Sequence, residues 1–234
     1  MAPRLKLSVI VPVGPGEPAW RALLGDLAQL EAGAEIILVA TPGASPGDFA
    51  GWDYGLRVPV RWHETTAGRA RQQNAGAAVA RGETLWFLHA DSRLPATSVA
   101  AAQRFTGRAA LGYFDLQFGD DGPSLVRLNA LGAWLRSRWL GLPFGDQGLI
   151  LPATLFRALG AFDESLAAGE DHALVWAARH AGAPLVPVGA PLVTSARRYA
   201  EGGWLRTTAR HARDTIAQAR RFARAAPGTG RRRE

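Results

Sequence analysis

Short apolar runs bounded by turn residues alternate with stretches of helical periodicity in the first half of the chain. The runs are rich in β-branched and aliphatic residues, as in buried strands, and the stretches between them repeat apolar residues every three or four positions. The predicted strands are Leu5–Val13, Glu35–Ala40, Val58–His63 and Thr84–Ala90. Their alternation with helices predicts an α/β fold with an open, mainly parallel sheet and helices on both faces.

The second half of the chain is less regular. Gly112–Phe118 alternates aromatic and polar residues, which favours an edge or antiparallel strand. A short strand is expected at 148–152, and one or two more within 184–196. Helical patterns cover 123–142, 154–166, 169–182 and Trp204–Phe222.

Length and composition indicate one globular domain with a C-terminal appendage. The chain has 234 residues, of which 47% are hydrophobic and 20% charged, so a sizeable core can form and global disorder is disfavoured. The absence of cysteine excludes disulfides, thiolate zinc sites and a catalytic thiol. We predict a domain over residues 1–200 and a basic helix and tail over 201–234.

The positive charge of the chain is concentrated at its C-terminal end. From Arg197 onward there are eleven arginines and three acidic residues, a net charge of +8, whereas the rest of the chain carries −1. The pI of 11.0 is therefore weak evidence for a nucleic-acid-binding protein. Two interpretations of the basic segment stay open, a solvated helix packed loosely on the domain and an attachment to an anionic membrane surface.

The apolar run near the N-terminus predicts a buried strand and not a secretory signal. It is short, rich in β-branched residues and ended by Gly14 and Pro15. No segment has the roughly 20 consecutive apolar residues that a membrane-spanning helix needs. We therefore expect a cytoplasmic protein, with a peripheral membrane contact through the basic tail as a further hypothesis.

Ligands of open α/β sheets gather at the carboxyl ends of the strands, and the residues expected there include polar groups. Gly14–Glu17 follows the first strand and Thr41–Gly43 the second. His89–Ser92 follows the central strand, where the Asp91 carboxylate could bind a hard cation. It could equally be the N-cap of a helix that begins near Pro95.

Two further acidic positions also have two interpretations. Glu170 and Asp171 open a predicted helix, where the helix dipole favours acids, and either could be a general base. Asp146 and Gln147 lie between glycines, as in a turn or a polar site. The chain lacks a complete dinucleotide-binding fingerprint, a Walker loop, a G-x-S-x-G elbow and zinc-like histidine spacing.

The ordered motifs of the chain resemble those of a known family. SVIVPV, GRARQQNAGAAVARGETLWFLHADSRLP, GLPFGDQG, GAFDESLAAGED and TSARR follow in the order seen in family 2 glycosyltransferases, from about Leu7 to Arg198. FLHAD, GLPFGDQG and TSARR resemble in particular the branch labelled arsenosugar-biosynthesis-type glycosyltransferases. The resemblance implies a GT-A fold, a nucleotide-sugar donor, a hydroxyl acceptor and a divalent cation, Mg²⁺ or Mn²⁺.

The resemblance also implies roles for individual residues. Asp91 falls at the metal-binding acid of the family's Asp-x-Asp motif, with His89 in place of the first Asp. Asp171, paired with Glu170, falls at the general base of an inverting transfer, and Asp146 and Gln147 would line the acceptor side. The implied donor contacts are Pro12, Glu17, Arg69, Asn74, His89, Arg197 and Arg198.

Two departures from the family pattern fall in the donor-base pocket. The segment Val39–Gly43 lacks the aspartate that usually follows the second strand, and Gly14–Glu17 lacks the usual Asn-Glu pair. A non-catalytic descendant therefore stays an alternative. A nucleotidyltransferase on a similar sheet is another, although Gly14–Pro18 has no basic residue for a phosphate loop. The third is a nucleic-acid binder that uses the basic tail.

Overall fold

A computed structural model describes residues 5–44 and 55–223 of the chain. Residues 1–4, 45–54 and 224–234, which include the end of the predicted basic tail, lie outside the described residues. Within the described ranges, no helix is long and apolar enough to cross a membrane.

One seven-stranded sheet forms the centre of the molecule, in the order β3-β2-β1-β4-β6-β5-β7. Adjacent strands are parallel except at β6, which is antiparallel to both of its neighbours. The predicted α/β fold with a mainly parallel sheet is thus confirmed. The strands are β1 (Leu7–Val13), β2 (Ala34–Ala40), β3 (Val60–Glu64), β4 (Thr84–Phe87), β5 (Leu111–Phe118), β6 (Ile150–Pro152) and β7 (Leu185–Thr194).

Helices cover both faces of the sheet and divide the core into two clusters. One cluster contains Val9, Val11 and the helix that begins at Trp20, and the other contains Ile10, on the opposite face of the same strand. The helices are α1 (Trp20–Leu27), α2 (Arg69–Val79), α3 (Ala96–Phe105), α4 (Val126–Trp139), α5 (Ala153–Ala158), α6 (Glu170–His180), α7 (Arg197–Gly202) and α8 (Trp204–Ala223). A short 3-10 helix, Gly145–Gln147, precedes β6.

The position of β5 differs from the expectation of an edge strand. β5 lies between β6 and β7, and β7 forms the edge of the sheet. The alternating pattern of β5 arises because Tyr113 and Phe114 face opposite clusters while Asp115 is half-buried. β5 is antiparallel only to the short β6 and parallel to β7.

The basic helix α8 packs against α4, α6 and α7. Thr207 and Phe222 are buried, and Asn129 of α4 hydrogen-bonds both Trp204 and Thr208. Gln218 lies against Gly169 at the start of α6. The boundary at residue 200 between a domain and a tail stays a prediction.

Close packing between α2 and the sheet requires a glycine in the middle of the helix. A Cβ atom at Gly76 would lie 2.5 Å from Ile10 Cγ2 and 2.8 Å from Val39 Cγ2. Glycine disfavours helix formation relative to alanine, so its presence here reflects the short distance between helix and strand.

We expect Gly76→Ala to destabilise the protein by about 1–3 kcal/mol, because β-branched side chains of the sheet cannot move aside without strain. Gly132→Ala is the matched control, since a Cβ atom at Gly132 of α4 has no neighbour within 4 Å. That control should stabilise the protein by roughly 0.5–1 kcal/mol through helix propensity. Urea unfolding measures both changes. Equal stability of the two variants would contradict the close contact.

Candidate active site

The carboxyl end of the sheet collects the polar residues that the sequence singled out. His89 and Asp91 follow β4, Asp146 lies in the 3-10 helix before β6, and α6 begins at Glu170. These segments are far apart in sequence and meet because β4 and β6 are neighbours in the sheet. The crevice beyond the carboxyl ends of parallel strands is the usual ligand site of such folds.

Asp171 is held by two backbone amides. Its Oδ2 accepts a hydrogen bond of 2.5 Å from the Gly145 amide, and its Oδ1 accepts one of 2.9 Å from the His172 amide. Burial alone would raise the pKa of Asp171, but His172, the two amide donors and His89 outweigh it and hold the pKa below its usual value. The carboxylate is therefore ionised at neutral pH and can accept a proton.

His89 occupies the centre of the charged cluster. Its pKa is lowered to about 4, chiefly by burial and next by the positive charge of Arg69. The carboxylates of Asp91 and Asp171 act in the opposite direction, and Arg198 adds to the lowering. The imidazole is thus neutral at pH 7. All four charged residues act electrostatically on His89, so the predicted metal-binding acid and the predicted base lie within reach of the same imidazole.

The Asp91 carboxylate has no structural task that explains its position. Helix α3 begins at Ala96 with Pro95 as its N-cap and no side-chain cap, so the N-cap interpretation of Asp91 is wrong. The chain first makes a turn, in which the Ser92 amide bonds the His89 carbonyl. Asp91 is half-buried and makes no side-chain hydrogen bond to any described residue, which leaves its oxygens available to a ligand.

Asp146 and Glu170 are acids in a desolvated environment. Burial raises the pKa of Asp146 to about 6, while Arg136 opposes this and Asp171 adds to it. The Asp146 Oδ1 atom is buried and has no hydrogen-bond partner among the described residues. Burial and the nearby Asp171 also raise the pKa of Glu170, whose Oε1 lies 3.8 Å from Arg69 Nε.

Gln147 uses its amide within the protein. Its Oε1 accepts hydrogen bonds from Ser137 Oγ, Arg136 Nη2 and the Phe144 amide, at 2.8, 3.1 and 3.1 Å. Its Nε2 donates to the Phe114 carbonyl at 3.0 Å. The buried side chain therefore fixes the 3-10 helix to α4 and β5. A contact between Gln147 and an acceptor stays a prediction.

Asn74 and Arg197 are also engaged with the protein. Asn74 Oδ1 accepts from the Phe162 amide at 3.0 Å, and its Nδ2 donates to the Phe162 carbonyl and to Glu164, which fixes the loop after α5. Arg197 is exposed, and its Nε donates to Ser195 Oγ at 3.0 Å. Their roles as donor contacts stay predictions.

Sequence reasoning missed a stack of three side chains beside Asp146. The guanidinium of Arg136 lies 3.3 Å from the centroid of the Phe144 ring, and that ring lies 3.5 Å from the centroid of the His172 ring. Burial lowers the pKa of His172 to about 4. One feature of the sequence could have revealed this cluster. Arg136 lies close to Ala133 and Ser137, which are both on the buried side of α4.

Comparison with solved structures identifies the fold. Residues 1–349 of S. aureus TarS match with a TM-score of 0.61 and 19% identity, over 82% of this chain and 60% of that one. The mannosyltransferase PcManGT from Pyrobaculum calidifontis matches with a TM-score of 0.60 and 17% identity, over 81% of this chain and 57% of that one. The chain thus spans about 60% of the length of these neighbours. No family profile and no curated protein matches the sequence.

The chain has the GT-A fold. This confirms the fold that the motifs led us to expect. The antiparallel strand β6 of the sheet lies next to the site. One of the matched TarS structures is a complex with UDP-GlcNAc, at 20% identity to this chain. The PcManGT structure is a complex with GDP-Man and Mn²⁺.

A cleft of about 240 Å³ opens at the carboxyl ends of β1 and β2 in this GT-A fold. Glu17, a predicted donor contact, lies in its wall, where its Oε1 accepts a 2.9 Å bond from the Ala19 amide ahead of α1. Pro12 lies in β1 opposite Val39 and is not part of the wall. The lining residues are Val13, Gly14, Gly16, Glu17, Pro18, Trp20, Arg21, Gly43, Ala44 and Trp62.

The residues present fit a divalent cation that binds together with a diphosphate. No group of three or more acidic or histidine side chains suited to a metal exists in the described ranges, so they hold no complete protein cage. Mg²⁺ needs only one or two carboxylates when substrate phosphates supply the other oxygens. The unpaired Asp91 carboxylate meets that requirement.

The raised pKa of Asp146 predicts a pH-dependent stability. The folded protein holds this proton more tightly than the unfolded chain, so stability from the group is complete below the usual pKa of 3.8 and is lost as the pH rises through about 6. Asp146→Asn cannot titrate at this position. As the pH rises from about 4.5 to about 8, its free energy of unfolding should therefore increase by about 2 kcal/mol relative to that of wild type. Denaturant unfolding at both pH values measures this. The exposed control Asp120→Asn should show no gain, and an equal pH profile for Asp146→Asn and wild type would contradict the buried charge.

Proposed function

We propose that the protein is an inverting, metal-dependent glycosyltransferase of family 2, which moves a sugar from a nucleotide-sugar donor to a hydroxyl acceptor. The observation that supports the proposal is that Asp91 and Asp171 both act electrostatically on His89, beyond the carboxyl end of β4 in a GT-A fold. The ligands of the structural neighbours, UDP-GlcNAc and GDP-Man with Mn²⁺, support a nucleotide-sugar donor. The FLHAD, GLPFGDQG and TSARR motifs support the arsenosugar-type branch.

The donor would extend from the cleft at β1 and β2 to the charged cluster. The nucleoside would occupy the cleft, where Trp62 offers an aromatic surface and Gly14 and Gly16 leave the backbone accessible. The diphosphate would lie beside Arg69 and Arg198, because guanidinium groups pair well with phosphate oxygens. This position would give a role to two exposed arginines that both act electrostatically on His89.

Asp91 would hold the divalent cation, which when bound neutralises charge on the leaving diphosphate. Arg69 and Arg198 add positive charge on the same side of the crevice. Glu170 positions Arg69 through the contact between its carboxylate and the Arg69 guanidinium. The neutral His89 adds no charge that would compete with the cation.

Asp171 would act as the general base. The acceptor oxygen bonds to the anomeric carbon from the face opposite the diphosphate, its proton passes to an Asp171 oxygen, and the bond from that carbon to the donor phosphate oxygen breaks with its electron pair. Attack from the opposite face inverts the anomeric centre. The amide bonds from Gly145 and His172 hold the carboxylate in place during the transfer. Asp146 and Arg136 would orient the acceptor beside it.

The metal role of Asp91 predicts cation-dependent donor binding. Calorimetry with a panel of UDP- and GDP-sugars should show binding that needs Mn²⁺ and that weakens at least about tenfold in Asp91→Asn, because a neutral amide is a poor ligand for a hard cation. Asp120→Asn, at an exposed position away from these contacts, should bind as wild type does. Donor binding that is indifferent to Mn²⁺ would contradict the proposal.

The base role of Asp171 predicts a separation of binding from turnover. Asp171→Asn keeps an oxygen for the Gly145 amide and loses only the bond from the His172 amide. Donor affinity should be retained because no donor contact is proposed for Asp171, whereas release of nucleoside diphosphate should fall by about 10²–10⁴-fold. Glu170→Gln serves as the comparison and should lose less. Mass spectrometry of the products follows the transfer. Undiminished turnover in Asp171→Asn would refute the role, and donor binding without turnover in wild type would favour a non-catalytic descendant.

A further inference from the structure

Helix α4 has a second apolar face that no described element covers. Its inner face packs on the domain through Val126 and Ala133, while large apolar side chains repeat every three or four residues on the outer face. The exposed fractions of these side chains are Leu128 56%, Leu131 53%, Leu135 44% and Trp139 77%. We call these four residues the α4 stripe.

Further apolar residues widen the α4 stripe. Leu125, Trp134 and Leu140 are also more than one third exposed. Single exposed apolar residues are common on soluble proteins, but a continuous row along a whole helix marks a surface that meets another apolar phase. The sugar-transfer chemistry proposed above assigns no task to this surface.

Arginines border the α4 stripe and form a row on the neighbouring helix. Arg127 and Arg138 lie beside it on α4, and Arg138 is ion-paired with Asp115 at 2.9 Å. Asn129 ties α4 to α8 through its bonds to Trp204 and Thr208. Exposed arginines at helical spacing occupy the outer side of α8, namely Arg206, Arg210, Arg213, Arg220 and Arg221.

We propose that the α4 stripe and the arginine row of α8 bind the surface of an anionic lipid bilayer. Leucine and tryptophan would enter the boundary between headgroups and acyl chains, and the arginines would pair with anionic headgroups. The contact is peripheral, since within the described ranges no helix can span a bilayer. Tryptophan at one end of an apolar row is typical of residues that lie at this boundary.

Charge and composition favour lipid over the other occupants. A second copy of the chain would face the same arginines across a symmetric contact, and like charges placed opposite one another repel. A nucleic acid would pair with the arginines of α8 but would leave the leucines of α4 in water. Only an anionic bilayer complements the apolar and the basic part together.

The membrane surface would then lie on the acceptor side of the crevice. Arg136, which lies between the inner and outer faces of the same helix, contacts Phe144 and Gln147 beside Asp146. A lipid-linked acceptor could reach Asp171 from the bilayer along this side, an extension that rests on the proposed function. The lipid contact itself does not, because it can be measured without sugar transfer.

Flotation with vesicles tests the lipid contact directly. The full chain should float with phosphatidylcholine vesicles that contain about 30% phosphatidylglycerol, and clearly less with pure phosphatidylcholine. Leu131→Gln/Trp139→Gln removes apolar area without changing charge and should lower the bound fraction about tenfold or more on anionic vesicles. Arg206→Gln/Arg213→Gln/Arg220→Gln should instead remove the preference for anionic lipid.

A matched variant and two further measurements make the result decisive. Ala78→Gln/Ala158→Gln adds two glutamines on exposed positions of α2 and α5 and should float as wild type does. Unfolding curves should show that all variants are folded. Absence of flotation in wild type, or undiminished flotation of the Leu131→Gln/Trp139→Gln variant, overturns the proposal. A dimer in light scattering that this variant abolishes assigns the stripe to a second copy, and salt-sensitive DNA binding without flotation assigns the arginines to nucleic acid.

Discussion

The hydrogen bond from the Gly145 amide to the Asp171 carboxylate joins two segments on which the whole site depends. It fixes the turn before β6 to the first turn of α6, which are separated by 26 residues of sequence. A Cβ atom at residue 145 would lie 2.9 Å from Asp171 Oδ2, so a glycine there lets the carboxylate approach this closely without displacement. With Asp171 held there, His89 and Asp146 are within electrostatic reach of the same carboxylate.

Burial gives the groups around that hydrogen bond different protonation states at neutral pH. Asp171 stays ionised because amide donors compensate its desolvation, whereas Asp146, with an unpaired oxygen, has a pKa of about 6. The pKa of His89, lowered to about 4, leaves a neutral ring between cationic and anionic side chains. The region beyond β4 thus combines an ionised carboxylate, an acid that ionises near pH 6 and an uncharged imidazole.

The sequence predicted those parts of the fold and site that depend on local pattern or motif. Buried runs predicted β1 and β2, and the FLHAD and GED motifs directed attention to Asp91 and Asp171. The edge position of β7, the structural bonds of Gln147 and the approach of Arg136 to Phe144 depend on long-range pairing, which leaves no periodic trace. Only the structure shows that Asp91 is not an N-cap, because α3 begins at Ala96 and its N-cap is Pro95.

Helix α4 connects the catalytic proposal to the lipid proposal through one physical property. It is apolar on two sides, so its periodicity alone cannot distinguish a buried helix from one that faces a bilayer. The exposed fractions resolve this, because Ala133 is buried while Leu131 and Trp139 face outward. Arg136 lies between these faces and carries its charge inward to Asp146. A shift of α4 on binding lipid would therefore move Arg136 and with it the contacts to Phe144 and Gln147, which is how the two proposals would be coupled.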